Sequence, residues 1–185
     1  MKTLLAAVAV ALVLTSCGTS QSTTTTAPAA QSTEQPEKYD VHPVDVKSEV
    51  LTISDGIKLF DDNSNLNAMA QKYGYKKLGK YEAHNLNSYD NMLYKNCSLP
   101  KKMKDGSYMD MPKPMKNGVS SYVGMVDGKL EIGVFNTKSY NQLVEQVEMA
   151  GFKLAQDGYE KEYSNGVYSI FCYAPGKRVR IAKTL

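Results

Sequence analysis

Residues 122–135 read YVGMVDGKLEIGVF. Two apolar runs, Tyr122 to Val126 and Leu130 to Phe135, flank Asp127-Gly128. Asp-Gly between such runs is the turn chemistry of a tight β-hairpin, whose central residues call for φ > 0. The stretch therefore predicts two antiparallel strands. Upstream, Asp55-Gly56 is followed by Ile57-Lys58-Leu59-Phe60, much as Asp127-Gly128 is followed by Ile132-Gly133-Val134-Phe135. Val50 to Ile53 and Ile57 to Phe60 are accordingly read as a second hairpin.

The echo runs on. Ser64 and Ser139 stand at the same distance after the phenylalanines, and each precedes a stretch with helical spacing. Then come Gly74-Tyr75-Lys76 and Gly151-Phe152-Lys153, next Tyr81-Glu82 and Tyr159-Glu160. The copies close on Cys97-Ser98-Leu99-Pro100 and Cys172-Tyr173-Ala174-Pro175. This common order predicts a tandem duplication of a β-β-α-β-β unit, residues 46–100 and 119–185, joined by a linker over 101–118. The class is α+β: antiparallel strands, as one joined sheet or two, with one helix covering each unit.

Helix faces follow from spacing. Tyr140, Leu143, Val144, Val147 and Ala150 share one face, after a capping box of Ser139 and Gln142 and before a stop at Gly151. Leu66, Met69, Ala70 and Tyr73 form a shorter face that ends at Gly74. Such stripes cover sheets. Two closing hairpins are expected: Tyr75 to Ala83 with Met92 to Cys97, and Phe152 to Tyr163 with Val167 to Tyr173 around Asn165-Gly166. Lys177 to Lys183 reads as a last strand whose charges suit a solvated edge. Alternatively, Arg178 and Arg180 on one face form a contact for an anionic surface such as lipid headgroups.

The linker is KKMKDGSYMDMPKPMKN over 101–117. Met103, Met109, Met111 and Met115 are soft, adaptable side chains that suit a partner contact, and thioethers also bind Cu(I). The bland reading is a proline-interrupted connector packed on the sheets.

Cys97 and Cys172 occupy equivalent places in the two copies. They are read either as a disulfide, which an exporting compartment permits, or as two separate buried thiols. His42 and His84 show no metal-ligand spacing, and Asp61-Asp62 reads as helix-start chemistry. No phosphate-binding loop, dinucleotide fingerprint, nucleophile elbow or zinc motif occurs, so no cofactor or metal is assigned and no catalytic residue is named.

The N-terminus carries an address. Lys2 precedes an apolar run from Leu4 to Leu14, too short to span a bilayer, which needs about 20 apolar residues. It fits the core of a secretion signal over residues 1–16. Leu14-Thr15-Ser16-Cys17 resembles the bacterial lipobox. That resemblance implies cleavage before Cys17, with diacylglycerol on its sulfur and acylation of the new N-terminus. Gly18 rather than aspartate after the cysteine leans toward the outer membrane facing the periplasm, with the cell surface as the alternative. From Gly18 to Asp40 no Val, Ile, Leu, Met or Phe occurs. Residues 17–45 are thus read as a lipidated, disordered tether.

A formal net charge of +3 gives no field that points to nucleic acid. Tyrosine is abundant at 13 residues and tryptophan absent, a composition that suits strands and contact surfaces. These features together predict a membrane-anchored, non-enzymatic module that binds another envelope protein. The alternatives are an envelope hydrolase with a converged site, or a small-ligand or copper binder through the linker.

Overall fold

Asp127-Gly128 turns the chain as expected, joining β7 (Ser121–Val126) to β8 (Lys129–Val134) with Val126 opposite Lys129. Only Gly128 takes positive φ, at 69°; Asp127 does not. A computed structural model describes residues 48–83, 87–107, 109 and 111–184, all within one compact unit, Lys38–Leu185.

The other Asp-Gly does something different. It lies inside helix α1 (Ile53–Asp61), so the hairpin expected over Val50 to Phe60 does not form. Thr52 is the N-cap, and its Oγ1 accepts from the Asp55 N–H at 3.2 Å. Thr-x-x-Asp is therefore helix-start chemistry. Gly56 serves packing: a Cβ there would stand 3.0 Å from Ile181 Cδ1, so glycine lets the helix settle close on the sheet. The tight Asp-Gly turn and the capped helix compete for the same dipeptide. Ile53 and Ile57, buried one turn apart, decide between them, since they share one helical face with the partly buried Phe60.

A 3₁₀ turn (Asn63–Asn65), capped by Asp62, leads into α2 (Leu66–Tyr73), which stops at Gly74 with φ 70° as anticipated. α3 (Thr137–Met149) buries Tyr140, Leu143 and Val147 and stops before Gly151, φ 89°. Its cap is Asn136, which accepts from the Ser139 N–H at 2.7 Å; the helix begins earlier than the Ser139 box implied.

The remaining strands are β1 (Lys76–Leu78), β2 (Tyr81–Ala83), β3 (Asn87–Tyr89), β4 (Asn91–Lys95), β5 (Cys97–Ser98), β6 (Lys113–Pro114), β9 (Lys153–Asp157), β10 (Lys161–Ser164), β11 (Tyr168–Tyr173) and β12 (Arg178–Lys183). Eight of the strands form one antiparallel sheet in the order β1-β4-β7-β8-β12-β11-β10-β9. β2 pairs with β3, and β5 with β6, as separate small hairpins. The class is α+β, mostly sheet. Both halves of the chain meet in this one sheet. The first half lacks the opening hairpin of the β-β-α-β-β pattern, and the long strands expected over Tyr75 to Ala83 and Phe152 to Tyr163 are each broken in two.

β12 is the largest departure. It is not an edge strand: it lies at the sheet's centre, hydrogen-bonded to β8 and β11 on either side. Val179 and Ile181 are fully buried toward the helices, which outweighs the exposure that its basic residues suggest. Burying such a side chain stabilises by about 1.5–3 kcal/mol. The edges are β1 and β9, exposed along their whole length.

All three helices cover one face. α1 packs on β8 and β12, α3 on β12, and α2 on β1. Leu93, Val123, Leu130, Ile132, Ile170, Val179 and Ile181 form the sheet side of that core, with Leu51, Ile53, Leu59 and Leu143 opposite. Two polar ties fix the layer. Gln146 Oε1 accepts from the Ile53 N–H at 3.0 Å, joining α3 to the start of α1. The buried Asp55 carboxylate takes Lys72 Nζ and Tyr73 OH, each at 2.6 Å, joining α1 to α2. Burial alone would raise the Asp55 pKa, but these bonds and one from Lys58 outweigh it and hold the carboxyl below its ordinary value.

A candidate binding cleft on the open sheet face

The face away from the helices is organised by glycines under tyrosines. Along one register row Tyr94, Tyr122, Gly133, Arg178 and Tyr173 stand on neighbouring strands. A Cβ at Gly133 would collide with the Tyr122 ring, its hydroxyl oxygen included at 2.6 Å. Gly124 stands under Tyr89, with Cδ1 2.7 Å from a Cβ placed there, and Gly176 lies against Tyr173, with Cδ1 at 2.6 Å. Glycine inside a strand marks close approach of another group. Here it lets aromatic rings lie flat on the sheet.

The β2–β3 hairpin folds over this face, so that Tyr81 stacks on Tyr89 with centroids 6.5 Å apart and planes inclined by 22°. Tyr122 meets Phe135 edge to face at 6.3 Å. Between them opens a cleft of about 260 Å³. Tyr81, Tyr89, Met92, Tyr122, Val134 and Phe135 line it from the sheet and hairpin side. Leu99, Pro100, Met111, Pro112 and Pro175 close it from the connecting segments.

Glu131 is its acidic member, buried at 7 % exposure. Its carboxylate accepts from Tyr122 OH at 3.3 Å and faces Arg178 at 3.9 Å and Lys129 at 4.0 Å. Burial, and then the Glu131 charge, push the Tyr89 hydroxyl up to about 12 and raise that of Tyr122 as well. Both are neutral hydroxyls at neutral pH, able to donate or accept. Among the described residues the Tyr89 hydroxyl has no hydrogen-bond partner, while that of Tyr81 donates to the Pro100 carbonyl at 2.6 Å. The cleft thus combines flat aromatic walls with a few fixed polar groups, the usual make-up of a ligand site.

The residues singled out from sequence fall in several places. Met111, 66 % exposed, stands at the lip of the cleft. Met103 lines a separate hollow with Lys101, Lys102 and Lys104, Met109 binds the Lys101 carbonyl through its N–H, and Met115 binds that of Asn96. Of the four methionines Met111 alone lines the cleft. Arg178 borders the cleft and lies over the Tyr173 ring at 5.0 Å. Arg180 faces the same side, yet it is taken by Glu160 at 2.6 Å and by the Phe171 ring at 4.2 Å. As an anionic-surface strip the pair is largely self-neutralised.

Cys97 and Cys172 are free and buried. Cys97 adjoins β7, its thiol donating to the Ser121 carbonyl at 3.5 Å, whereas Cys172 is on β11, with β8 and β12 between. Strands are about 4.8 Å apart, so a bond, which needs Cα atoms within about 7 Å, is out of reach. The two-thiol alternative is the one the fold contains, and the places are not equivalent. Burial raises both thiols, Cys172 to about 12, which leaves them protonated and poor nucleophiles. Asp62 caps the 3₁₀ turn through Ser64, and Asp61 accepts from Tyr168 OH at 2.5 Å. Cys17, the tether, His42 and His84 lie outside the described residues.

A larger hollow of about 440 Å³ opens at the β7–β8 turn, lined by Asp61, Asp90, Asp127, Lys129 and Lys183. Among the described residues no group of three or more His, Cys, Asp or Glu could hold a metal ion. Nor is any helix among them long and apolar enough to cross a membrane. No protein-family model matches the chain, and no curated protein or solved structure matches it significantly.

Sequence reading did not single out the cleft. Its signal was nonetheless present: Tyr122-x-Gly124 and Glu131-x-Gly133 place a large group and a glycine in alternation on one face of paired strands.

Proposed function

We propose that this chain is a lipid-anchored envelope protein that works by binding rather than catalysis, and that the aromatic cleft is where it holds a partner protein. Residues 1–16 direct export, Cys17 carries the lipid in the outer membrane on its periplasmic side, and residues 17–45 are the tether. The observation that supports docking most is the cleft itself. Tyr81, Tyr122, Phe135 and Met111 are side chains typical of interface anchors, gathered around a polar floor of Glu131 and Arg178.

The duplication remains part of the proposal in reduced form. What supports it is that α2–Gly74–β1 and α3–Gly151–β9 each run from a helix, through a left-handed glycine, into an edge strand, at opposite ends of the sheet.

A photo-crosslinking residue at Met111 in the full-length protein, expressed in cells, tests the docking role. One dominant protein adduct is expected, and it should be absent when the crosslinker replaces Lys58 on the helix side. Equal, unselective adducts from both positions defeat the reading. Cys17→Ala tests the anchor, since it should leave unprocessed precursor or release the protein from membranes.

A further inference from the structure

Resting on the cleft as a docking site, we infer that its occupant is an extended, proline-rich segment of the partner, bound in the polyproline II form. The strands beneath the cleft set the first constraint. β4, β7, β8 and β12 are each hydrogen-bonded on both sides. These strands offer no free main-chain edge, so an occupant lying on the main sheet is held there by side chains rather than by strand addition. Size sets the second. About 260 Å³ is below the ~300–1,000 Å³ of pockets that enclose a drug-sized ligand. It takes one or two residues at a time.

Polyproline II fits both constraints. It has no internal hydrogen bonds, so its carbonyls are free to accept, and its pyrrolidine rings are flat apolar blocks. The cleft already uses this chemistry on the chain's own residues. Tyr81 OH donates to the carbonyl of Pro100, and the Pro100 and Pro112 rings form a wall. Tyr122 and Phe135, inclined by 65°, make a notch between ring edge and ring face where a proline ring can seat. The Tyr89 hydroxyl supplies a further donor to a passing carbonyl.

The test is a titration of the full-length chain in detergent micelles with an oligoproline peptide about ten residues long. It is followed by NMR of isotope-labelled tyrosine rings. Saturable shifts are expected at Tyr81, Tyr89 and Tyr122, with Tyr159 unmoved and no response to a Gly/Ser peptide of equal length. Tyr122→Ala should weaken binding about tenfold. Because that variant can disturb the sheet, Met111→Lys at the exposed lip serves as a second probe, and it should weaken binding with the fold unchanged. The inference fails if oligoproline causes no saturable shift, if neither variant weakens it, or if a cell-wall oligosaccharide moves the same tyrosines instead. Selective crosslinking from Met111 without oligoproline binding would leave the docking role standing and overturn this inference alone.

Discussion

Gly133→Ala tests the packing that builds the cleft. The added Cβ would lie inside the Tyr122 ring, whose hydroxyl oxygen it would meet at 2.6 Å. Carbon atoms in contact prefer about 3.5–4.0 Å, so the ring must move by on the order of 1 Å or more. It cannot move freely, because Phe135 stands edge-on at 6.3 Å and Glu131 holds its hydroxyl. Overpacking of this kind costs about 1–3 kcal/mol. Alanine also recovers about 0.5–1 kcal/mol of chain entropy relative to glycine in a strand. The net expectation is a loss of up to about 2.5 kcal/mol. In a chain of this size that is a fall of up to roughly 10 °C in Tm. The assay is urea unfolding followed by circular dichroism, for Gly133→Ala, Tyr122→Ala and the double variant. With the ring gone, alanine at 133 should be neutral or slightly stabilising, giving a coupling of about 1–3 kcal/mol. If Gly133→Ala costs as much in the Tyr122→Ala background as alone, the glycine is not there to seat the tyrosine and the account of the open face is wrong.

Other expectations follow from the same structure. Ile181→Ala should cost about 2–5 kcal/mol in urea unfolding, because β12 is central and this side chain is fully buried; a loss well under 1 kcal/mol would return β12 to an edge. Asp55→Asn should cost about 1–3 kcal/mol at neutral pH through its charged hydrogen bonds to Lys72 and Tyr73. Since the folded carboxyl titrates below its unfolded value, its contribution is fully present above that unfolded value, near 3.9, and is lost as pH falls through the folded one. The variant should therefore show a flatter acid limb, and parallel limbs would count against the assigned role. Cys97 and Cys172 should resist alkylation until the protein unfolds, and a reductant should leave Tm unchanged; a Tm that drops on reduction would reveal a disulfide the fold does not contain.

How far residues reach in the chain separates what was legible from what was not. Local chemistry read true where it had a single solution. Gly74 and Gly151 stop helices because only glycine enters the left-handed region without strain, and Asp127-Gly128 turns a hairpin between runs that fit strands and nothing else. The α+β class and the apolar faces of α2 and α3 follow from periodicity alone. Asp55-Gly56 had two solutions. Its hairpin signal was genuine, but Thr52 capping and the helical spacing of Ile53, Ile57 and Phe60 favoured a helix once a sheet existed to cover. The place of β12 was likewise not a local property. Val179 and Ile181 reward burial only when β8, β11 and α1 close around them, which periodicity within one strand cannot show.

The cleft depends on tertiary structure most of all. Tyr81, Tyr122, Phe135 and Pro112 are distant in sequence, and each alone reads as an ordinary strand or linker residue. Strand order brings Gly133 beside Tyr122, and the folded-over β2–β3 hairpin brings Tyr89 onto Gly124. The separation of Cys97 from Cys172 has the same origin: β8 and β12 stand between β7, which Cys97 adjoins, and β11, which carries Cys172, a distance set by topology. By itself the sequence determined the class, the helix stops and the hairpin turn, because those are settled by neighbours in the chain. Strand order, the burial of β12 and the aromatic site were decided only on folding, because their energies come from contacts between segments far apart along it.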